Sequence, residues 1–137
     1  EFYAYRGRVE YQGLSLFETK NGAYTGNIIA PEERKVEMLS KYIDMDIVEG
    51  VTRDIALLAQ DNILPSYTGP FGVDMMVVRD GNNDVVLHPC VELNLRRTMG
   101  HVALSVPTAF DVFTKVMRIC HDKTYRLRIT RSEGDMP

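Results

Sequence analysis

No stretch of the 137-residue chain reaches the roughly 18 consecutive apolar residues that a membrane-spanning helix needs. Nor do the opening residues, EFYAYRGRVEYQG, look like a secretory leader; they are strand-like from the start. With no initiator Met, they read as part of something longer or as a processed N-terminus. Cysteine is scarce. Cys90 and Cys120 are the only two, too few for a disulfide framework, and they are expected to be reduced thiols in a cytoplasmic protein. A large charge excess is also missing. Lys and Arg number 16 against 19 Asp and Glu, a net charge of −3. That balance gives no electrostatic argument for nucleic acid, and membrane partners are not expected either. The chain has no internal repeat and no low-complexity segment.

What is present fits one globular domain over residues 1–137. Hydrophobic residues make up 45% and charged residues 26%, and a chain of this size buries roughly 68% of its unfolded surface. Residues 2–6 and 8–12 are β-rich and flank Gly7. Residues 13–19 and 24–30 form a second such pair around Asn21-Gly22, a strong hairpin signal. The period then lengthens. Pro31, Glu32 and Glu33 suit a helix start, and Val36, Leu39, Tyr42 and Ile43 recur at helical spacing. Gly50 interrupts, and Val51, Ile55, Leu58 and Ala59 mark a second helix. Residues 72–79 form a strand, 80–84 a turn, and 85–95 a returning strand with a bulge or strand change at Pro89. Phe110, Phe113, Val116 and Met117 predict a third helix over 108–117. Residues 124–130 alternate, with Arg126 and Arg128 on a solvated face, and 131–137 read as a frayed tail. The expected class is α+β: a mostly antiparallel sheet with helices packed on one face.

The chemistry gathers where the return strand carries acidic and amide groups. Glu92 and Asn94 are two apart, so they share a face, while Val91, Leu93 and Leu95 take the other. A hairpin centred near 82–83 brings Asp74, within GVDMMVV, roughly opposite residues 90–92. Two carboxylates and an amide then meet on one face. Close carboxylates repel and resist burial, and a hard cation relieves both problems. Mg²⁺, or Mn²⁺ in its place, suits one or two carboxylates plus substrate phosphates. Arg96 and Arg97 follow at once, able to grip phosphate or carboxylate oxygens. Thr98 and Gly100 follow in a loop where backbone N–H groups can approach an anion.

Asp74 in GVDMMV, then Glu92-Leu93-Asn94, then RRTMGH, resembles the C-terminal nucleotide–metal core of the ATP-grasp superfamily, which includes carboxylate–amine ligases such as D-alanine–D-alanine ligase. The close match covers about residues 66–104. The resemblance implies that Asp74, Glu92 and Asn94 hold Mg²⁺ on the phosphates of ATP. It implies that Arg97 first, and Arg96 second, bind the acyl-phosphate or substrate carboxylate, with Thr98 and Gly100 lining the anion loop. Several members of the family carry an arginine two residues before the strand carboxylate; here that position is Gly72, and Arg6 or Lys20 would have to supply the charge. The family also clamps ATP between two lobes, so this chain would be the C-terminal lobe and a missing N-terminal lobe its partner. Small carboxylate and amine (or thiol) substrates follow, with a homodimer left open. The alternative is a non-catalytic nucleotide-binding or interaction module of the same fold.

Other groups carry blander readings. His88, Cys90, His101, Cys120 and His121 do not have the spacing of a structural zinc site. Cys90 has no evident activating base, and His101 is a poor candidate for a general base.

Overall fold

The computed structural model of the chain describes residues 1–109 and 112–132. Among these the order is β1 (Phe2–Tyr5), β2 (Arg8–Tyr11), β3 (Phe17–Lys20), β4 (Ala23–Ile29), α1 (Glu32–Ser40), α2 (Met45–Asn62), β5 (Gly69–Arg79), β6 (Val85–Asn94), α3 (Met99–Leu104), β7 (Lys115–Asp122) and β8 (Thr124–Arg131). The fold is α+β, with two four-stranded antiparallel sheets ordered β2-β1-β5-β6 and β3-β4-β7-β8. Among the described residues no helix is long and apolar enough to cross a membrane.

Local chemistry sets the turns. Asn21 and Gly22 have φ of 53° and 78°, the paired left-handed geometry of a tight hairpin. Between β5 and β6, Asp80 Oδ1 accepts N–H bonds from Asn82 at 2.8 Å and Asp84 at 3.0 Å. That carboxylate replaces the ladder bonds the chain loses in turning.

Each sheet has its own core. In the first, Phe2, Ala4 and Phe71 are buried against Ala59 of α2, with Val73 packed beside them. In the second, neighbouring residues serve opposite faces. Ile28, Ala30 and Val116 pack with Leu16 and with Met38 of α1, while Ile29 and Met117 pack with Ala103, Met99 and Val102 of α3. Between helix and loop, Lys35 is 3% exposed. Its Nζ lies 2.9 Å from Glu32 Oε2 and donates to the Leu14 carbonyl, while Leu14 N–H donates to Glu32 Oε1 at 2.7 Å. Two residues one helical turn apart thus satisfy both backbone groups of Leu14.

Two expectations fail. Gly50 does not break a helix; α2 runs through it from Met45 to Asn62. The break falls earlier, where the Asp44 side chain accepts the Asp46 N–H at 2.9 Å and caps α2. The helix predicted over 108–117 is absent from the described residues, and Lys115–Asp122 is strand β7. Val116 and Met117 are both buried because they face different helices. A strand covered on both sides shows a continuous apolar run with no alternation, which a helix also shows. Phe110 lies outside the described residues. The short third helix is instead Met99–Leu104, in the segment read as a loop. Of the tail, Arg131 ends β8, and 133–137 lie outside the described residues.

Candidate carboxylate site

The β5–β6 register decides which side chains meet. Asp74 is the direct partner of Glu92, and Gly72 of Asn94. Partners across an antiparallel pair share a face, with Cβ atoms about 4.5–5.5 Å apart. Asp74, Glu92 and Asn94 therefore occupy one face, opposite to Val73 and α2. A bulge does fall at Pro89: Pro89, Cys90 and Val91 lie opposite Met75 alone, and pairing resumes at Met76 with His88.

The electrostatics follow. Burial pushes the Asp74 carboxyl above its ordinary range, and the negative charges of Glu92 and then Glu1 add to this; Arg96 acts in the opposite direction. Arg96 also donates to Asn94 Oδ1 at 3.3 Å. All of these residues line a cleft of about 650 Å³ that reaches across to Tyr24 and Asn27 on the second sheet. There the Tyr24 hydroxyl donates to Asn27 Oδ1, and Asn27 Nδ2 donates to Ser15 Oγ at 2.9 Å. Burial raises the Tyr24 phenol, so it stays a neutral donor.

Glu1 is the residue that sequence reasoning missed. Phe2 pairs with Phe71, so Glu1 comes level with Gly72 and points to the Asp74 face. Its carboxylate is nine-tenths buried and sits in a slot between two glycines. A Cβ on Gly100 would lie 1.9 Å from Glu1 Oε1, and one on Gly72 would lie 2.6 Å from Oε2. Thr98 Oγ1 donates to Oε1 at 2.7 Å. Oε2 is 3.1 Å from His101 Nδ1, but it receives no hydrogen bond. The reason lies in the ring. Nε2 faces the Phe2 carbonyl at 3.0 Å and must carry the proton, while Nδ1 accepts the Thr98 N–H at 3.1 Å. That tautomer closes the α3 capping box and leaves Oε2 facing a lone pair.

This arrangement sorts the expected residues. Asp74, Glu92 and Asn94 share a face as expected. Arg96 lines the cleft beside them, whereas Arg97 is exposed and is not part of its wall. The Thr98 hydroxyl and the Gly100 face are engaged by Glu1. His101 is buried with both ring nitrogens occupied. Arg6 lies over the Tyr5 ring at 5.0 Å, and neither it nor Lys20 lines the cleft. Among the described residues no three His, Cys, Asp or Glu converge as a metal-binding group. A divalent cation would thus have Asp74, Glu92 and the amide of Asn94, with further oxygens from a ligand. That donor set fits Mg²⁺, which keeps several non-protein ligands.

No protein-family model, no curated protein and no solved structure matches the chain.

Proposed function

We propose that this chain is a lobe of an ATP-dependent carboxylate–amine (or carboxylate–thiol) ligase of the ATP-grasp type. The observation that carries the reading is the Asp74–Glu92 pairing, with Asn94 on the same face and Arg96 beside it. In the reaction a substrate carboxylate oxygen attacks the γ-phosphorus of ATP, and the bond to the bridging oxygen breaks, giving an acyl-phosphate and ADP. An amine then attacks the acyl carbon, loses a proton and expels phosphate. Mg²⁺ bound by Asp74, Glu92 and Asn94 would supply charge neutralisation to the phosphates. The chain's own part is placement. Asp74 and Glu92 would hold the cation, and Arg96, which donates to Asn94 Oδ1, would meet anionic oxygen at the cleft wall. Arg96 takes precedence over Arg97 in this role because it lines the cleft. A lobe with lysines for the phosphates would complete the clamp. The reaction suits a cytoplasmic enzyme.

The engagement of Thr98 and Gly100 by Glu1 favours the second reading, a nucleotide-binding or interaction module of the same fold without catalysis. Calorimetric titration of Mg-ATP into the chain in its full-length context separates the two. The ligase reading expects metal-dependent binding that Glu92→Gln with Asn94→Ala abolishes, and ADP release with some carboxylate. Binding unchanged by both substitutions would remove the metal assignment. Binding with no turnover across a carboxylate screen would favour the module.

A further inference from the structure

The last two strands of the second sheet carry an unbalanced charge. Residues 115–131 contain Lys115, Arg118, Lys123, Arg126, Arg128 and Arg131 against Asp122, a net charge of +5 in a chain whose total is −3. The rest of the chain is therefore at −8. The β7–β8 register divides this charge: Arg118, Arg126 and Arg128 share the face turned away from the cleft with Asp122, and Lys115 and Arg131 fall on the other. Arg118 is the direct partner of Arg128, and Cys120 of Arg126. Residues two apart share a face, so the three guanidinium stems rise together. They stand about 5 Å apart across the ribbon and about 7 Å apart along it.

Like charges directly opposite destabilise a strand pair. One carboxylate answers them: Arg118 is 3.4 Å from Glu18 Oε2. Arg126 and Arg128 are exposed, and their side chains have no ion pair or hydrogen bond among the described residues. Gly26 on β4 is buried and lets the Arg118 stem lie close against the strand; a Cβ there would stand 2.9 Å from Val116 Cγ1 and 3.0 Å from Arg118 Cγ. The cleft is lined by Asn27, whose partner is Met117, so it lies on the other face from Arg118.

We propose that Arg118, Arg126 and Arg128 form a binding surface for a small soluble polyphosphate anion, separate from the cleft. Guanidinium groups bind phosphate oxygens bidentately, and the spacing of the three matches phosphates a few ångströms apart. The same face argues against larger polyanions. Its other residues on the ribbon are Val116, Cys120, Asp122, Thr124 and Thr130, so no aromatic ring is there to stack a base. Tyr125, Leu127 and Ile129 project from the opposite face, so a bilayer meeting the arginines would meet no apolar anchor.

The test is titration of metal-free tripolyphosphate, at low ionic strength with chelator, followed by calorimetry and backbone amide shifts. Wild type is expected to bind with shifts on β7 and β8 and with affinity falling as salt rises. Arg126→Gln with Arg128→Gln, both at exposed positions, should weaken binding at least about tenfold, while Arg53→Gln on α2 leaves it unchanged. Equal binding by the double variant, or shifts confined to Asp74 and Glu92, overturns the proposal. So does tighter binding of single-stranded oligonucleotide or of anionic vesicles than of tripolyphosphate. Asp74 and Glu92 are intact in the double variant, so the ligase reading stands or falls independently.

Discussion

The two sheets are built alike and charged oppositely. Each has four antiparallel strands. The first gathers Glu1, Asp74 and Glu92 on the face that lines the cleft, and the second gathers Arg118, Arg126 and Arg128 on the face that does not. The difference lies in how each set is held. Glu1 is held by Thr98 in a slot between two glycines, Arg96 donates to Asn94 beside the carboxylate pair, and Asp74 is partly withdrawn from water. Arg126 and Arg128 stand in solvent, Arg118 is half-buried and paired with Glu18, and Asp122 shares their face. Crowded charge in a cleft perturbs protonation and confines geometry, whereas crowded charge on an open ribbon does neither. A constellation is thus chemically expressive only where the fold also restricts solvent.

The largest expected effect tests whether the sheets have separate cores. Phe71→Ala in the first should cost about 3–5 kcal/mol and Met117→Ala in the second about 2–5 kcal/mol, read by urea unfolding. Hydrogen exchange should then show protection lost first in β1 and β5 for Phe71→Ala, and in β4 and β7 for Met117→Ala. Identical patterns would mean one cooperative core. Next in size is Gly100→Ala, which drives a methyl group into the Glu1 carboxylate. It should destabilise by about 1–3 kcal/mol, and Gly81→Ala, where nothing lies within 4 Å, by under about 0.5 kcal/mol. Comparable losses at both sites would contradict the slot.

The smallest effect concerns Asp74. Its pKa is raised above 3.8, so the folded state holds the proton more tightly than the unfolded chain does. The stability this contributes is complete below about 3.8 and is lost as pH rises through the raised value. At neutral pH the ionised group is a liability. Asp74→Asn should therefore stabilise the chain by about 0.2–1 kcal/mol there, the scale of a cross-strand pair, and the gain should shrink in acid. A gain that grows on acidification would mean Asp74 is held by a partner. Mg²⁺ should reverse the sign at neutral pH, stabilising wild type and leaving Asp74→Asn unaffected.

Much of the first sheet was legible in the sequence. Gly7 and the 80–84 turn set its hairpins, as Asn21-Gly22 set the β3–β4 hairpin of the second sheet, and period-two spacing put Glu92 and Asn94 on one face. The hairpin centre placed Asp74 roughly opposite residues 90–92, and the bulge at Pro89 selects Glu92 among them. Glu1 was not legible, because its place depends on β1 meeting β5 across some 65 intervening residues, and no local signal encodes that register. The misread third helix has a related cause. Val116 and Met117 are covered by different helices, a tertiary fact that erases the alternation by which strands are recognised. Arg118 opposite Arg128 was likewise hidden until β7 was seen to be a strand.

The bulge at Pro89 inserts two surplus residues opposite Met75, not one. In a pleated strand an even insertion leaves the inside and outside of everything downstream unchanged, whereas an odd one exchanges them. Glu92 and Asn94 reach the cleft only because the count is even. This makes the hairpin an arithmetic device: removing Pro89 or Cys90 alone would turn Glu92 and Asn94 toward α2 and present Val91 and Leu93 to the cleft, whereas removing both would restore the site on a shorter strand. Length variation in this arm is constrained in steps, and the carboxylate pair is the feature that sets the step.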